Sequence, residues 1–510
     1  MDSKIVYSLI FIFIIALILR FLYFPNNIYF GIDQALGSFA VKEILAGHPK
    51  LVGPSTSFPG LRHGVLYYYL YAPFYLVGNG NPVLAAAFLR VVNALGIFLI
   101  FFLGKILFNS YVGIIASFLF AVSFEQTQFA LYFNHPSLSV ISILVMFLGL
   151  SILIFRKQQI GLMLALLGLG LSIQFEFLLT YLIVPFVLIL LTFKKLMPVL
   201  KLRTLSLGLV IFLLTTATFL VAEIKFHFRS ISLLPQLLFT SSHKSLYKII
   251  STYFFELGQI IKFNLVGLSS LVLIVGIALF ILFVISYKTK VRKQMVFLGI
   301  WFFSVIVTYL VTGGEDIKTG ILQYHQNAGI SSSLILFISY LLYYLGTKLR
   351  YPAYLLILLI VSANIYQITT INPHGSMPEI NAQSFMLLSD EKQVLDFIYN
   401  DAMGKPFAVK GITLPFYINS TWSYLFEWYG KQKYGYLPVW GGTNAIGYPG
   451  NLQVETAQSK LPDNRYLIIE PVRGIPEHLI NEFLKEEDYF TSLQETEKIG
   501  NFIVQKRKIK

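Results

Sequence analysis

The chain has 510 residues, of which 56% are hydrophobic and only 13% are charged, and its formal net charge is +14. Repeated apolar runs of about 18 to 25 residues predict a polytopic membrane protein and exclude an ordinary large soluble enzyme. The positive excess lies in the first 370 residues, where membrane topology accounts for it, so nucleic acid is not expected as a partner. Because there is no cysteine, disulfides, thiolate nucleophiles and cysteine-based metal sites are excluded.

Eleven apolar segments are predicted to cross the membrane and to form an all-α module over residues 1–370. The first run ends in Leu22-Tyr23-Phe24-Pro25 rather than in a small-residue cleavage site, so we expect an uncleaved first helix. The predicted spans are, approximately, 4–24, 83–105, 111–127, 137–155, 159–173, 176–193, 204–222, 265–286, 295–312, 330–346 and 351–369.

The basic residues of the short loops predict the orientation. Counted from a cytoplasmic N-terminus, the inner loops carry thirteen basic residues and no acidic ones, as the positive-inside rule requires. Three long loops, at about 25–82, 223–264 and 313–329, are then predicted on the outer face, together with residues 371–510. We therefore expect a multi-pass protein of the cell membrane with an extracytoplasmic C-terminal domain.

Residues 371–510 are predicted to fold as a small α/β domain. A helix is expected from Ser389 to Ala402, because acidic residues in its first turn favour the N-terminal dipole. A second helix is expected from Pro476 to Asp488, since proline suits the first helical position. Short strands are expected at Phe407–Ile412, Tyr466–Ile469 and Asn501–Gln505.

Acidic residues of the membrane module collect on the predicted outer side. Ionisable groups at membrane depth are costly and usually face a cavity, a partner or a pathway. We therefore expect polar chemistry at the outer surface, although selection for Lys and Arg in the inner loops explains part of the asymmetry. Asp2 is the one acidic residue of the module predicted on the inner side. The eight predicted on the outer side are Asp33, Glu43, Glu125, Glu176, Glu223, Glu256, Glu315 and Asp316.

The first outer loop is the richest of these segments. Arg62 and His63 precede a tyrosine-rich helix, whose first backbone N–H groups could add to an anion site. Tyr68 and its neighbours form an aromatic belt that suits a helix lying among lipid headgroups. These tyrosines either contribute to substrate binding or only anchor the helix; they are Tyr67, Tyr68, Tyr69, Tyr71 and Tyr75.

The order of these features resembles the membrane-embedded glycosyltransferases of the GT-C superfamily. The likeness rests on an acidic residue soon after the first span, a connector ending in a Pro/Gly turn, and GVLYYYLYAPFYLVG followed by AAAFLRVVNALG. It extends well over residues 20–180, and YLFEWYGKQKYGYLP, from Tyr424, is similar to the tail of some members. The branch resembled is that of the protein O-mannosyltransferases and the lipid A aminoarabinose transferase, more narrowly the family 39 glycosyltransferases.

The resemblance implies transfer of a sugar, with inversion, from a polyprenyl-phosphate carrier to a hydroxyl acceptor on the outer face of the bilayer. The acidic residue of the family's first loop falls on Asp33, which would act as the general base. The leaving lipid phosphate would need cationic stabilisation, for which Arg62 and Arg229 are candidates. Family members often have Asp-Glu where this chain has Asp33-Gln34, and this departure lends weight to a non-catalytic relative.

Further residues of the outer loops are candidates for substrate binding. Asn134 either orients substrate or caps the helix that follows, and the other side chains either contact sugar or serve helix ends and solvent. These candidates are Glu125, Asn134 and His135 in FEQTQFALYFNHPS, Gln174 and Glu176 in IQFEFLL, and Tyr324 and His325 in the last outer loop. They add to His63, Tyr68 and Arg229, which are also candidates for substrate binding.

No cofactor is expected to be required, although a divalent ion held by Asp33 with Glu125 or His135 is an alternative. A transporter or flippase of lipid-linked sugars, or a non-catalytic subunit of the same fold, competes with the enzyme. A flippase predicts a polar path through the bilayer, whereas the spans are apolar apart from Arg20, Arg90 and their ends.

Overall fold

The structure is a computed structural model that describes residues 2–56, 60–229, 231–233, 245–312, 324–380, 383–471 and 475–510. Each of the eleven predicted spans corresponds to a helix or to two consecutive helices. The helices of this part are α1 Ser3–Phe21, α2 Ile32–Leu45, α3 Leu66–Val77, α4 Pro82–Leu107, α5 Ser110–Val122, α6 Phe124–Leu131, α7 Pro136–Phe155, α8 Ile160–Phe175, α9 Ile183–Thr192, α10 Leu202–Thr215, α11 Ala217–Lys225, α12 Leu246–Ile261, α13 Ser269–Tyr287, α14 Arg292–Phe303, α15 Ile306–Thr312, α16 Ser331–Lys348 and α17 Arg350–Ile371.

In the described part of the chain, six helices are long and apolar enough to cross a membrane. They become eight if each of two bent pairs forms one span, α5 with α6 at 54° and α10 with α11 at 60°. Helix α8 and the apolar segment containing α9 are shorter. The polytopic helical architecture is therefore confirmed, whereas the count of eleven spans and the orientation stay predictions.

Two buried arginines tie the first helices together. Arg20 on α1 donates to Asn93 Oδ1 at 2.7 Å and to the Ala121 carbonyl oxygen at 3.0 Å. Arg90 on α4 donates to Asn27 Oδ1 at 3.0 Å. Charges at membrane depth are tolerated when they pair with polar groups inside the protein. These arginines therefore fix α1, α4, α5 and the entry to the first long loop.

A mixed six-stranded sheet lies in the C-terminal part that the structure describes. Its strands pair in the order β3-β2-β1-β4-β6-β5, parallel from β3 to β4 and antiparallel from β4 to β5. Helices accompany the sheet, as crossovers between parallel strands require. The strands are β1 Phe407–Ile412, β2 Val439–Gly441, β3 Gln453–Glu455, β4 Asn464–Ile469, β5 Thr491–Ile499 and β6 Phe502–Ile509, and the helices are α18 Leu388–Ala402, α19 Ser420–Leu425, α20 Lys431–Tyr434 and α21 Glu477–Phe490.

The predicted helices and strands of this part are confirmed to within a few residues. The last helix begins at Glu477 rather than at Pro476, because Pro476 has an extended ψ of 135° and serves as the N-cap. Strands β2, β3 and β5 are not predicted by the sequence.

The sheet and the first long loop share one hydrophobic core, which we call the shared core. Its buried side chains come from residues 28–89 and from residues 386–504, with Phe133, Leu138 and Phe175 between. Backbone pairing joins the two parts: Phe30 N–H donates to the Met386 carbonyl oxygen and Leu388 N–H to that of Ile28, each at 2.9 Å. The segment leading to α2 is therefore held by the C-terminal part of the chain.

Candidate functional site

Asp33 lies in the first turn of α2, where a negative charge is favoured by the helix dipole. Its side chain is exposed to solvent, yet dense surrounding protein desolvates the carboxyl and raises its pKa, against the opposing effect of His63. Among the described residues, none donates a hydrogen bond to this carboxylate. Asp33 thus presents an acid group that is open to solvent and that accepts no hydrogen bond from the described residues.

Tyrosines surround Asp33. Burial raises the pKa of Tyr68 to about 12, and the charge of Asp33 adds to the rise. Tyr67, whose ring centroid lies 4.2 Å from that of Tyr68, is buried and also contacts His135, with ring centroids 5.3 Å apart. Tyr71 and Tyr75 are buried as well. The prediction that these tyrosines form a headgroup belt is therefore wrong for most of the set, because α3 turns them into the protein; Tyr69 alone of the five is exposed.

Gln34 has a structural role beside Asp33. Its side-chain oxygen accepts from Gly31 N–H at 3.1 Å, and its Nε2 donates to the Phe133 carbonyl oxygen at 2.9 Å. A carboxylate could accept the first bond but not donate the second. Glutamine at this position therefore ties the first loop to the loop between α6 and α7.

Three buried side chains from three loops meet next to this loop. His63 precedes α3, His135 directly precedes α7, and Glu176 follows α8. His63 Nδ1 lies 3.1 Å from Glu176 Oε1, and His135 Nδ1 lies 3.6 Å from Glu176 Oε2. The two imidazole ring centroids are 4.2 Å apart. We call these residues the His-Glu cluster.

The cluster is electrostatically coupled. The imidazoles of His63 and His135 both lie within reach of the Glu176 carboxylate. Burial, reinforced by His63, lowers the pKa of His135 to about 3. At neutral pH the His135 imidazole is therefore neutral.

Tight backbone packing fixes this arrangement. A Cβ atom on Gly64 would lie 2.1 Å from Gln174 Oε1 and 2.4 Å from the Gln174 carbonyl oxygen, so only glycine allows the two loops to approach so closely. Gln174 Nε2 donates to Thr218 Oγ1 at 2.7 Å. The end of α8 at Gln174 therefore packs directly against Gly64, the residue that follows His63.

Glu125 belongs to a different cluster. Asn264 Nδ2 donates to Glu125 Oε2 at 2.5 Å, and Tyr324 and Ser331 are hydrogen-bonding neighbours of the same carboxyl. Among the described residues, the His-Glu cluster is the group of three ligand side chains whose donor atoms lie within 4.8 Å of one another. Neither Asp33 nor Glu125 belongs to such a group of three among the described residues, and an ion held by Asp33 with Glu125 or His135 stays a prediction.

The remaining candidates lie around this centre with different partners. Arg62 is exposed and its guanidinium donates to Ser55 Oγ at 2.7 Å. Asn134 does not cap α7, since His135 is the N-cap; its amide instead donates to Tyr132 Oη at 3.1 Å. The His325 ring lies 6.4 Å from that of Tyr132.

Three residues that the sequence singled out stand apart from this centre or fall outside the described residues. Arg229 is exposed after α11, and within the described residues no hydrogen bond links its side chain to the site. Glu315 and Asp316 fall outside the described residues.

The sequence analysis missed Tyr132 and Tyr29, two buried tyrosines near Asp33. Burial raises the pKa of each phenol, and the charge of Asp33 raises it further. Only the nearness of Tyr132 to Asn134 in the sequence could have pointed to the first.

Comparison with known proteins agrees with the fold. No family model matches the chain, and no curated protein matches it. ArnT, an aminoarabinose transferase from Cupriavidus metallidurans, is similar in its apo state with a TM-score of 0.60 and 10% identity, over 99% of this chain and 98% of its own. The structure of the same protein bound to undecaprenyl phosphate has a TM-score of 0.59 at 10% identity, over 98% of this chain and 97% of its own.

A second relative is the oligosaccharyltransferase of Archaeoglobus fulgidus tethered with an acceptor peptide. Its TM-score is 0.52 at 12% identity, over 82% of this chain and 63% of its own. Both relatives belong to the GT-C superfamily. The chain therefore has the GT-C fold, as the sequence resemblance predicts, with a helical membrane module and a C-terminal sheet; its placement in family 39 stays a prediction.

Proposed function

We propose that this protein is an integral membrane glycosyltransferase, which transfers a sugar from a polyprenyl-phosphate donor to a hydroxyl acceptor at the outer face of the membrane. The observation that carries the proposal is the carboxylate of Asp33. It is exposed to solvent, the protein around it desolvates it in part, and it accepts no hydrogen bond from the described residues. A group arranged in this way is available to a substrate rather than committed to the fold. The match of almost the full chain to a structure bound to undecaprenyl phosphate supports a lipid-phosphate donor.

In this mechanism the acceptor hydroxyl oxygen attacks the anomeric carbon while the bond from that carbon to the phosphate oxygen breaks. Asp33 accepts the hydroxyl proton, and the electron pair of the broken bond leaves with the lipid phosphate. A single displacement inverts the anomeric configuration. Desolvation raises the pKa of Asp33 and therefore strengthens it as a base.

The leaving phosphate needs positive charge near it. Arg62 is exposed, oriented by Ser55 and close enough to Tyr68 to lower the pKa of that phenol against the effect of burial. We propose that Arg62 stabilises the negative charge of the leaving phosphate, because a guanidinium group pairs well with phosphate oxygens. Arg229 remains a second proposed partner.

The test is release of sugar from radiolabelled polyprenyl-phosphate donors by the purified full-length protein, with membrane extract as the source of acceptor. Asp33→Asn should abolish release while leaving the unfolding transition intact. Glu43→Gln is the matched control, since Glu43 lies on the same helix and only pairs with Lys50 at the surface; it should release sugar normally.

The outcomes separate the competing functions. Release that survives in Asp33→Asn would contradict the assignment of the base. Donor binding without release by the wild-type protein would favour a flippase or a non-catalytic subunit. Against a flippase stand Arg20 and Arg90, which are bonded to neighbouring helices instead of lining a polar path.

A further inference from the structure

A second pocket lies on the side of α2 that faces away from Asp33. It has a volume of about 370 Å³ and lies between the ends of α2 and α3 and the segment from α19 to α20. Lys42, which lines it, follows Asp33 by nine residues on α2. Nine residues are two and a half helical turns, so the two side chains lie on opposite faces of the helix. The pocket is therefore separate from the candidate transfer centre, and the first long loop and the C-terminal part of the chain build it together.

One wall of this pocket lies at the end of a membrane-spanning helix. Asn79 and Gly80 line it and immediately precede the N-cap of α4, which is long and apolar enough to cross a membrane. Two other lining side chains, those of Leu45 and Leu76, are 41% and 67% exposed, and Val77 next to them in sequence is 80% exposed. Apolar side chains that are exposed together mark a contact surface, and at the end of a span that surface meets the bilayer.

The wall supplied by the C-terminal part carries polar groups. The ring of Trp428 stacks on that of Tyr424 with centroids 6.3 Å apart, and no residue of the described ranges accepts a hydrogen bond from its indole N–H. Gln432 Nε2 donates to the Asn79 carbonyl oxygen at 3.3 Å and joins the two walls. Tryptophan and lysine side chains with an apolar body and a polar tip suit the level at which lipid headgroups meet water.

Positive charge is in excess in this pocket. Lys42 pairs with Glu427, whose other carboxylate oxygen accepts from Asn451 Nδ2, so this acid is already satisfied. Lys431 is exposed and forms no ion pair with any residue that the structure describes. Two lysines therefore line the pocket with one glutamate, and the ammonium group left over fits an anion such as a phosphodiester.

We propose that this pocket binds the headgroup of an anionic membrane phospholipid. The phosphodiester pairs with Lys431 and accepts from the Trp428 N–H, while the acyl chains run along Leu45 and Leu76 into the bilayer. A soluble phosphate would leave the exposed leucines in water, so a lipid fits the pocket better. The bound lipid ties the first long loop and the C-terminal part to the membrane surface at one point. This binding stands independently of the proposed sugar transfer, because Asp33 lies on the other face of α2.

The experiment titrates the purified full-length protein in detergent with phosphatidylglycerol and counts the retained lipids by native mass spectrometry. Wild-type protein should retain one phosphatidylglycerol per chain more tightly than phosphatidylcholine, whose headgroup has no net charge. Glycerol 3-phosphate, which carries the phosphate without acyl chains, should compete only weakly. Equal retention of phosphatidylcholine would overturn the proposal. Displacement of the lipid by an equal concentration of glycerol 3-phosphate would overturn it too, in favour of a site for soluble phosphates.

Variants locate the lipid. Lys431→Gln should weaken phosphatidylglycerol binding about fivefold, the effect expected of one lysine at an anionic lipid surface. Trp428→Phe, which keeps an aromatic ring and removes the N–H donor, should weaken it as well. Lys485→Gln is the matched control, because Lys485 is exposed on α21 and does not line the pocket. Arg62→Gln should also retain the lipid, since Arg62 belongs to the proposed transfer centre. Unchanged binding in Lys431→Gln, or loss of the lipid in Arg62→Gln, would contradict the assignment to this pocket.

Discussion

At the scale of single residues, the pair Asp33-Gln34 divides two tasks between neighbours. Asp33 keeps its carboxylate open to solvent, while Gln34 holds the loop in place by accepting from Gly31 and donating to Phe133. The bond that Gln34 donates thus explains why glutamine stands where the resembled family is expected to have a second acidic residue. The presence of glutamine at this position therefore gives little support to a non-catalytic protein.

Replacing Gln34 with glutamate tests this division. In Gln34→Glu the donor to the Phe133 carbonyl is lost and a second negative charge stands next to Asp33. We expect the free energy of unfolding to fall by about 1–3 kcal/mol and sugar release to decrease. Chemical denaturation and the release assay measure the two effects. Gln158→Glu, at an exposed loop position, is the control, and equal or higher activity in Gln34→Glu would contradict this role.

The residues of the site were predictable one at a time and not as a set. Asp33, His63, His135 and Glu176 stand out in the sequence because polar groups beside apolar runs are few. Which of them meet depends on how α3, α7 and α8 pack, and no local pattern encodes that packing. For the same reason the sequence grouped Glu125 with Asp33, whereas α6 directs it to Asn264.

At the scale of elements, helices were predicted well and strands unevenly. Long apolar runs and strand β1, which is buried along most of its length, carry a strong signal. Strand β5 does not: TSLQETEKI is mostly exposed at the sheet edge, where charged residues are usual. Strands β2 and β3 have three residues each, too few for a periodic pattern.

Helix α18 carries a buried acid that makes stability depend on pH. Both oxygens of Glu391 are buried without a hydrogen-bond partner among the described residues. Burial, and then Glu470 and Asp390, raise the pKa of Glu391 well above its usual value. The folded state therefore binds this proton more tightly than the unfolded state. The resulting stabilisation is complete below about pH 4.3 and is lost as pH rises through the folded-state pKa.

Glu391→Met removes this ionisation with little change in side-chain size. We expect the free energy of unfolding to rise by about 1–3 kcal/mol at pH 5, because the buried protonated carboxyl also lacks a partner, and to rise further at alkaline pH, where burial of the ionised form costs more; denaturation of the purified protein across the pH range measures both. Glu477→Met, at an exposed position of α21, should leave the pH profile unchanged. A destabilised Glu391→Met at pH 8 would show that this carboxylate has a partner.

At the scale of the whole molecule, the shared core makes the membrane module and the sheet depend on each other. Tyr424 is central to it: its ring lies 5.7 Å from that of Phe30 and 5.3 Å from that of Phe39. Its hydroxyl donates to the Gly80 carbonyl oxygen at 2.6 Å. A boundary near residue 370 divides the sequence by composition, whereas the packing crosses it.

Tyr424→Ala should loosen this connection. Loss of a buried aromatic ring costs about 3–5 kcal/mol, so we expect a lower unfolding midpoint and faster proteolysis within residues 25–82. Limited proteolysis followed by mass spectrometry locates the cuts. Tyr448→Ala, which removes an exposed ring of 41% accessibility, serves as the control. An unchanged cleavage pattern in Tyr424→Ala would mean that the first loop is stable without the sheet.

The two halves of the shared core are synthesised at different times. Its first half leaves the ribosome by residue 89, but Phe502 and Val504, which complete it, are synthesised more than 400 residues later. At about 5–20 residues per second the early helices wait on the order of 20 to 80 s for their partners. Asp33 is consequently positioned only after the sheet has been synthesised, and a nascent chain that stalls before strand β6 exposes unpaired apolar surface to proteases and chaperones.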